Sequence, residues 1–287
     1  MSLTFHNGIY TLRAETSPNG RPYDEDRYRV LVCRGITLII VLDGHGNDEC
    51  VNRINASLED VINGIFYHLD FSEIQSLLEA NRQIYTELAE LTKDCDSGAC
   101  MAMLMILPDN TMIASHLGDC RIYVFNHQIM YISQDHDPIS EAAAVKARGG
   151  RVLFHNGPRL SGILAVARAF GDKSIKGVGR EPTIQNVGRN WNQFMITSDC
   201  LIDAIYNITK VSTESTFDEY GYPVEIPLHE KQTAAEPVIT EEIVRIFSSA
   251  IVQTETKYDA IEVCMNEFVK FAQTFPDNYS IVCGSKN

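Results

Sequence analysis

The chain has 287 residues, 45% of them hydrophobic and 22% charged, with a formal net charge of −14. That length can bury a substantial core, while the acidity argues against nucleic acid as a partner, because a phosphate backbone calls for a basic face. No apolar run approaches the ~20 residues that cross a bilayer, and MSLTFHNGIY lacks a basic-then-apolar signal pattern, so no membrane partner is expected and the cytoplasm (or nucleus) is the expected location. The eight cysteines include no Cys-x-x-Cys pair. Cys33, Cys100, Cys264 and Cys283 sit inside apolar runs, as core thiols do, so neither a zinc site nor a disulfide framework is expected.

In chain order, residues 8 to 45 read as strand-rich. Ile36-Thr37-Leu38-Ile39-Ile40 is a nearly unbroken apolar run, the pattern of a buried strand, and it ends in Val41-Leu42-Asp43-Gly44-His45-Gly46. Two helices are predicted next, the clearer one carrying Ile74, Leu77, Leu78, Ile84, Leu88 and Leu91 near helical spacing. Four short strands follow, 101–107, 111–117, 121–125 and 128–133, separated by Pro108-Asp109-Asn110, Gly118-Asp119 and Asn126-His127. Their tight links predict an antiparallel meander. A short helix over 140–148 stops at Gly149-Gly150, and Phe194 to Ser198 reads as another buried strand. Helices over about 240–253 and 259–273 and a strand over 279–284 close the pattern. The polar stretch 207–237 reads as a surface insertion in a single domain spanning 1–287. Hairpins with helices grouped between them predict an α+β fold built on antiparallel sheets.

Acidic residues recur where these strands begin or end. Glu25 and Asp26 precede one strand, Asp43 ends the next, Asp199 follows 194–198, and Asp277-Asn278 precedes the last. Carboxylates converging from strand ends suit magnesium or manganese; a single Asp at a turn is equally ordinary turn chemistry. Spacing alone leaves both readings open.

The order of the short motifs bears on that choice. Arg21-Pro-Tyr-Asp-Glu25-Asp26, Asp43-Gly44-His45-Gly46, Asp96-Ser97-Gly98-Ala99-Cys100 and Leu117-Gly118-Asp119-Cys120-Arg121 come in turn. Gln134-Asp135-His136-Asp137-Pro138, Gly149-Gly150-Arg151-Val152, Leu164 to Asp172 (LAVARAFGD), Glu181-Pro182, Thr197-Ser198-Asp199 and Asp277-Asn278 follow. Together, over residues 8 to 284, they resemble the metal-dependent (PPM, or type 2C) protein serine/threonine phosphatases.

The resemblance implies a sandwich of two antiparallel β-sheets flanked by helices on both sides, and a monomer acting on phosphoprotein substrates. It implies Mg2+ or Mn2+, two ions and a weaker third. Asp43 would bridge two ions, with Glu25 and the Gly44 carbonyl on one and Asp199 and Asp277 on the other. Asp26 would act through hydrogen bonds to bound water, and Asp135 and Asp203, with Asp199, would hold the third ion. The cations would make hydroxide available near neutral pH. Arg21 would grip phosphate, and His45 would protonate the departing serine or threonine oxygen. His116 and His136 are expected to be structural, and Arg168 and Asp172 to hold a loop.

Some positions depart from the family pattern. Cys200 stands where glycine is usual after Asp199, Leu201-Ile202 where a tryptophan is common, and the flap segment 152–164 is short, with Phe154, His155 and Arg159. A side chain at 200 could crowd a metal's water shell. These departures leave a second reading, a catalytically weak relative serving as a binding scaffold, although every expected carboxylate is present.

Overall fold

The computed structural model describes residues 2–6, 10–71, 73–154, 157–209, 216–217, 223–224, 228–254 and 256–286, with side chains of 206–236, 251–253, 257 and 258 outside the description. Strands β1 (Ser2–His6), β2 (Tyr10–Ser17), β3 (Asp26–Cys33) and β4 (Ile36–His45) lead into helices α1 (Glu49–Tyr67) and α2 (Ile74–Leu91). Next come β5 (Gly98–Ile106), β6 (Met112–Leu117), β7 (Arg121–Asn126), β8 (Gln128–Ile132) and the short α3 (Ala142–Ala147). Strands β9 (Val152–Phe154), β10 (Pro158–Leu160), β11 (Phe170–Gly171), β12 (Thr183–Gly188) and β13 (Gln193–Thr197) precede α4 (Asp199–Thr209). The short strands β14 (Thr216–Phe217) and β15 (Pro223–Val224), helices α5 (Leu228–Gln253) and α6 (Lys257–Ala272), and β16 (Tyr279–Lys286) complete the chain.

Two six-stranded antiparallel sheets form, beside the two-stranded pairs β9–β10 and β14–β15. One has the order β1-β2-β16-β13-β7-β8, the other β12-β6-β5-β4-β3 with β11 added at the start of β5. The period-2 alternation of strands assigns the layers. On β4, Ile39 and Val41 face the other sheet and meet Leu12, Ala102, Leu104, Val124, Phe194 and Val282. Their neighbours Leu38, Ile40 and Leu42 point the opposite way, onto Val51, Ile54 and Leu58 of α1 and Ile84 and Leu88 of α2. On the other sheet Tyr123, Met195, Ile281 and Cys283 carry α4, α5 and α6 through Ile205, Phe247, Cys264 and Phe268. A strand covered on both faces must be apolar at every position, which is why β4 reads as a continuous run. Each fully buried aliphatic side chain contributes roughly 1.5–3 kcal/mol. The result is the expected layering of helix, sheet, sheet and helix.

The expected meander is corrected. β5 and β6 pair in one sheet and β7 and β8 in the other, so the chain crosses between sheets at Gly118-Asp119. Gly118 has φ +97°, and a Cβ there would overlap the Cys100 side chain. The turn therefore needs a left-handed residue with no side chain, and both sheets gain a strand from one polar link.

Helix α5 starts at Leu228, inside the stretch 207–237 expected as an insertion; residues 210–215, 218–222 and 225–227 of that stretch lie outside the described residues. Among the described residues, no helix is long and apolar enough to cross a membrane.

Candidate active site

Strand pairing brings the acidic strand ends to one end of the sandwich. Asp26, the first residue of β3, pairs with Asp43 near the end of β4. Asp43 in turn lies opposite Cys100 of β5. In the other sheet Thr197, two residues before Asp199, pairs with Ile281 of β16 and Arg121 of β7, so Asp199, Asp277 and Asp119 emerge at neighbouring strand ends. Ser198 ties β13 to β16: its N–H donates to the Ser280 carbonyl at 3.0 Å, and its Oγ accepts from Ser280 N at 3.1 Å.

These carboxylates lie in the floor of a cleft, where surrounding protein desolvates them while solvent still reaches most of them. Burial, reinforced by Asp199, Asp26 and Asp119, pushes the Asp43 carboxyl well above the ordinary carboxylate range. Burial together with Asp119, Asp203, Asp277 and Asp26 does the same to Asp199. Asp26 is buried outright and is pushed up to about 8, chiefly by desolvation. One of its oxygens, Oδ2, has no hydrogen-bond partner. Asp203 rises to about 6 through burial and Asp119. Like charges this close cannot all be ionised without compensation, and a hard divalent cation with oxygen ligands is the compensation such donors suit. The donor set fits a divalent metal, although among the described residues no three acidic, histidine or cysteine groups already stand in ligand geometry.

Among the described residues, Arg21 supplies the cationic contacts at the Glu25–Asp277 rim. Its Nη2 donates to Asp277 Oδ2 at 2.5 Å, and its Nη1 lies 4.0 Å from Glu25 Oε2. Asn278 holds the loop that carries it. With its amide turned to satisfy both ends, Nδ2 donates to the Pro18 and Tyr23 carbonyls, each at 3.0 Å, and Oδ1 accepts from Glu25 N at 2.8 Å.

Gly44 has a steric reason to lack a side chain. Its N–H donates to the Glu25 carbonyl at 3.1 Å, and a Cβ would stand 2.7 Å from that oxygen and 3.0 Å from Val51. The glycine lets the Glu25 backbone cross the end of β4. His45 follows, with Nε2 at 2.8 Å from Asp172 Oδ2.

A cavity of about 710 Å³ adjoins the acidic floor. Its lining includes Asp119, Asp135, Asp199, Asp203, Ile202 and Ile239. Asp135 is engaged there by Arg121, whose Nε and Nη2 reach its two oxygens at 2.8 Å each. Asp119, to which sequence reasoning gave no role, is the acid that interacts most strongly with both Asp199 and Asp203. Its Gly-Asp motif was visible; what was hidden was the sheet crossing that aims it inward.

Cys200 leaves the acidic cleft clear. Its thiol packs in the helical layer and points to the Asp277 carbonyl at 3.6 Å and the Ala272 carbonyl at 3.8 Å. His116 and His136 stack with ring centres 4.5 Å apart beneath the cavity. His155 lies outside the described residues.

Residues 34–241 match the family model described as protein phosphatase 2C. The chain is 29% identical to probable protein phosphatase 2C 78 of Arabidopsis thaliana over 191 residues, covering 60% of this chain and 46% of that protein. It is 26% identical to probable protein phosphatase 2C 58 of the same plant over 210 residues, covering 70% and 73%. The chain thus spans less than half the length of the first relative. Among solved structures, a serine-threonine phosphatase 2C from Toxoplasma gondii superposes with a TM-score of 0.70 at 15% identity, covering 100% of this chain and 99% of that one. At that identity the likeness shows the fold.

Proposed function

The chain belongs to the protein phosphatase 2C family, and from that premise we propose that it hydrolyses phosphoserine and phosphothreonine in proteins with the help of divalent cations. The observation that carries the reading is the set of desolvated strand-end carboxylates, with Arg21 at their rim and His45 beside them. Two Mg2+ or Mn2+ ions would be held by Glu25, Asp43 and the Gly44 carbonyl, and by Asp43, Asp199 and Asp277. Asp26 would accept hydrogen bonds from water. A third ion would fall to Asp135, Asp199 and Asp203, with Asp119 beside Asp199 and Asp203 and Arg121 paired with Asp135. Bound cations would supply an acidified water and screening of the phosphate dianion.

The chain's own residues account for the rest. Arg21, about two-fifths exposed, can turn from Asp277 to phosphate oxygens, for which its forked donors are suited. His45 delivers a proton to the departing alkoxide, a role that typically contributes about 10²- to 10⁴-fold. The substrate is a phosphoprotein met by a monomer, in the cytoplasm or nucleus, without nucleic acid or membrane. The test is hydrolysis of a phosphothreonine peptide with and without Mn2+, beside Asp43→Asn and Asp199→Asn. Activity that needs Mn2+ and falls at least about 10²-fold in both variants is expected. Chelator-resistant activity surviving both changes would overturn the two-metal reading; an inactive chain that binds no Mn2+ by calorimetry would favour a scaffold.

A further inference from the structure

We infer that Asp172 is the positioning residue for His45, and that Gly98 is bare so that the two side chains can meet. The inference rests on the phosphatase reading above, in which His45 is the proton donor. Three observations carry it. First, Asp172 Oδ2 is 2.8 Å from His45 Nε2, and the Asp172 side chain is only 4% exposed, so this imidazole is the principal polar partner of a carboxylate sealed from water. Second, β5 runs between the two. His45 pairs with Gly98 across β4 and β5, and Gly171 pairs with the same Gly98 across β11 and β5. A Cβ at 98 would overlap both His45 Nε2 and Asp172 Oδ2, so the contact exists only over a glycine. Third, Asp172 holds a left-handed backbone, φ +50°, fixed by its N–H donating to the Ser97 carbonyl at 3.0 Å. Such strain persists where surrounding structure over-determines it. Arg180, which donates to the Ala169 and Gly171 carbonyls and interacts with Asp172, keeps the buried carboxylate from standing as an isolated charge.

The consequence is a fixed ring. With the Nε2 hydrogen donated to Asp172, Nδ1 is the nitrogen left to face the substrate. In the reaction a water oxygen bonds to phosphorus, giving up one proton to solvent, while the phosphorus–oxygen bond to serine or threonine breaks. The Nδ1 proton goes to the departing oxygen, giving a hydroxyl and phosphate. Neutral His45 keeps its Nε2–H on Asp172 and recovers a proton from solvent. Asp172 touches no reacting atom.

The test compares His45→Gln, Asp172→Asn, Gly98→Ala and the double variant on a phosphothreonine peptide and on 4-nitrophenyl phosphate, whose leaving group needs no proton. Asparagine tolerates the left-handed backbone of Asp172, which guards against a simple folding failure. The expected result is a selective kcat loss on the peptide, about 10–100-fold for Asp172→Asn, no further loss in the double variant over His45→Gln, and the same selectivity in Gly98→Ala. Selective loss in His45→Gln with equal losses on both substrates in Asp172→Asn would overturn the assignment to Asp172 alone. Equal losses in His45→Gln would overturn the proton-donor reading beneath it. NMR of the ring-labelled histidine reads the contact without activity: a downfield Nε2-bound proton in the wild-type chain should disappear in Asp172→Ala, and its absence from the wild-type chain would refute the pairing.

Discussion

His136 illustrates how a single buried ring is committed to one protonation state. Its Nδ1 accepts from Gly118 N at 3.0 Å and its Nε2 reaches Thr183 Oγ1 at 2.8 Å, so a second ring proton would break the bond to the sheet-crossing turn. Desolvation, with the stacked His116 adding to it, pushes His136 down to about 2. The unfolded chain titrates near 6.5. Below that pH the unfolded state binds the extra proton, so the contribution of neutral His136 is complete above about 6.5 and is lost as pH falls toward 2. Asp26, pushed up to about 8, works oppositely: the metal-free native state holds a proton between about 4 and 8, and stability falls as pH rises through that window. The comparison with His136→Asn separates them, because Asn can accept from Gly118 but does not titrate. Between pH 7 and pH 5 the wild-type melting temperature should fall relative to that of the variant, by an amount equivalent to about 1–2 kcal/mol. Parallel curves would exclude the buried imidazole as a pH-sensitive group.

At the level of elements, the link between β6 and β7 does more than join two strands. Gly118 passes the chain from one sheet to the other, and Asp119 enters the acidic cleft as a consequence. Alanine at 118 combines an unfavourable positive φ with overlap of the Cys100 side chain. Gly118→Ala should cost about 2–4 kcal/mol, measured as a lower midpoint in urea unfolding. A change under about 0.5 kcal/mol would mean the turn is more adaptable than its geometry implies. The element scale is also where sequence reasoning fell short. Tight links at 108–110 and 126–127 are true hairpins, and Gly118-Asp119 looks the same in sequence, because local turn chemistry does not specify which sheet the next strand joins. Helix α4 was missed because its eleven residues follow β13 directly, and sequence reading placed no element between Ser198 and the polar stretch 207–237. Strand β12 was missed because its pattern is largely polar at an exposed sheet edge.

For the whole molecule, antiparallel sheets covered by helices were readable from apolar patterning, and the two-sheet sandwich followed from the family resemblance. Strand β4, with Ile39 and Val41 toward one core and Leu38, Ile40 and Leu42 toward the other, shows why continuous apolar runs implied layers on both sides. The strand-end carboxylates were readable as types and positions, since Asp26 and Asp43 flank a single hairpin. Contacts between distant segments were not. Asp172 lies 127 residues from His45, and Asn278 folds back on the Pro18–Glu25 loop; nothing local to either residue reports its partner. On the proposed reading, this end of the molecule is destabilised by its own carboxylates and completed by divalent cations.

Thermal unfolding of the wild-type chain and Asp199→Asn, each with chelator and with excess Mn2+, tests that claim most directly. Removing one charge from the repelling set should raise the metal-free melting temperature of the variant, by about 2–4 °C for each kcal/mol relieved. Mn2+ should stabilise the wild-type chain by mass action, about 2.7 kcal/mol at a hundredfold excess over the dissociation constant, and should stabilise the variant far less. A variant that is less stable without metal and gains as much from Mn2+ as the wild type would contradict the account.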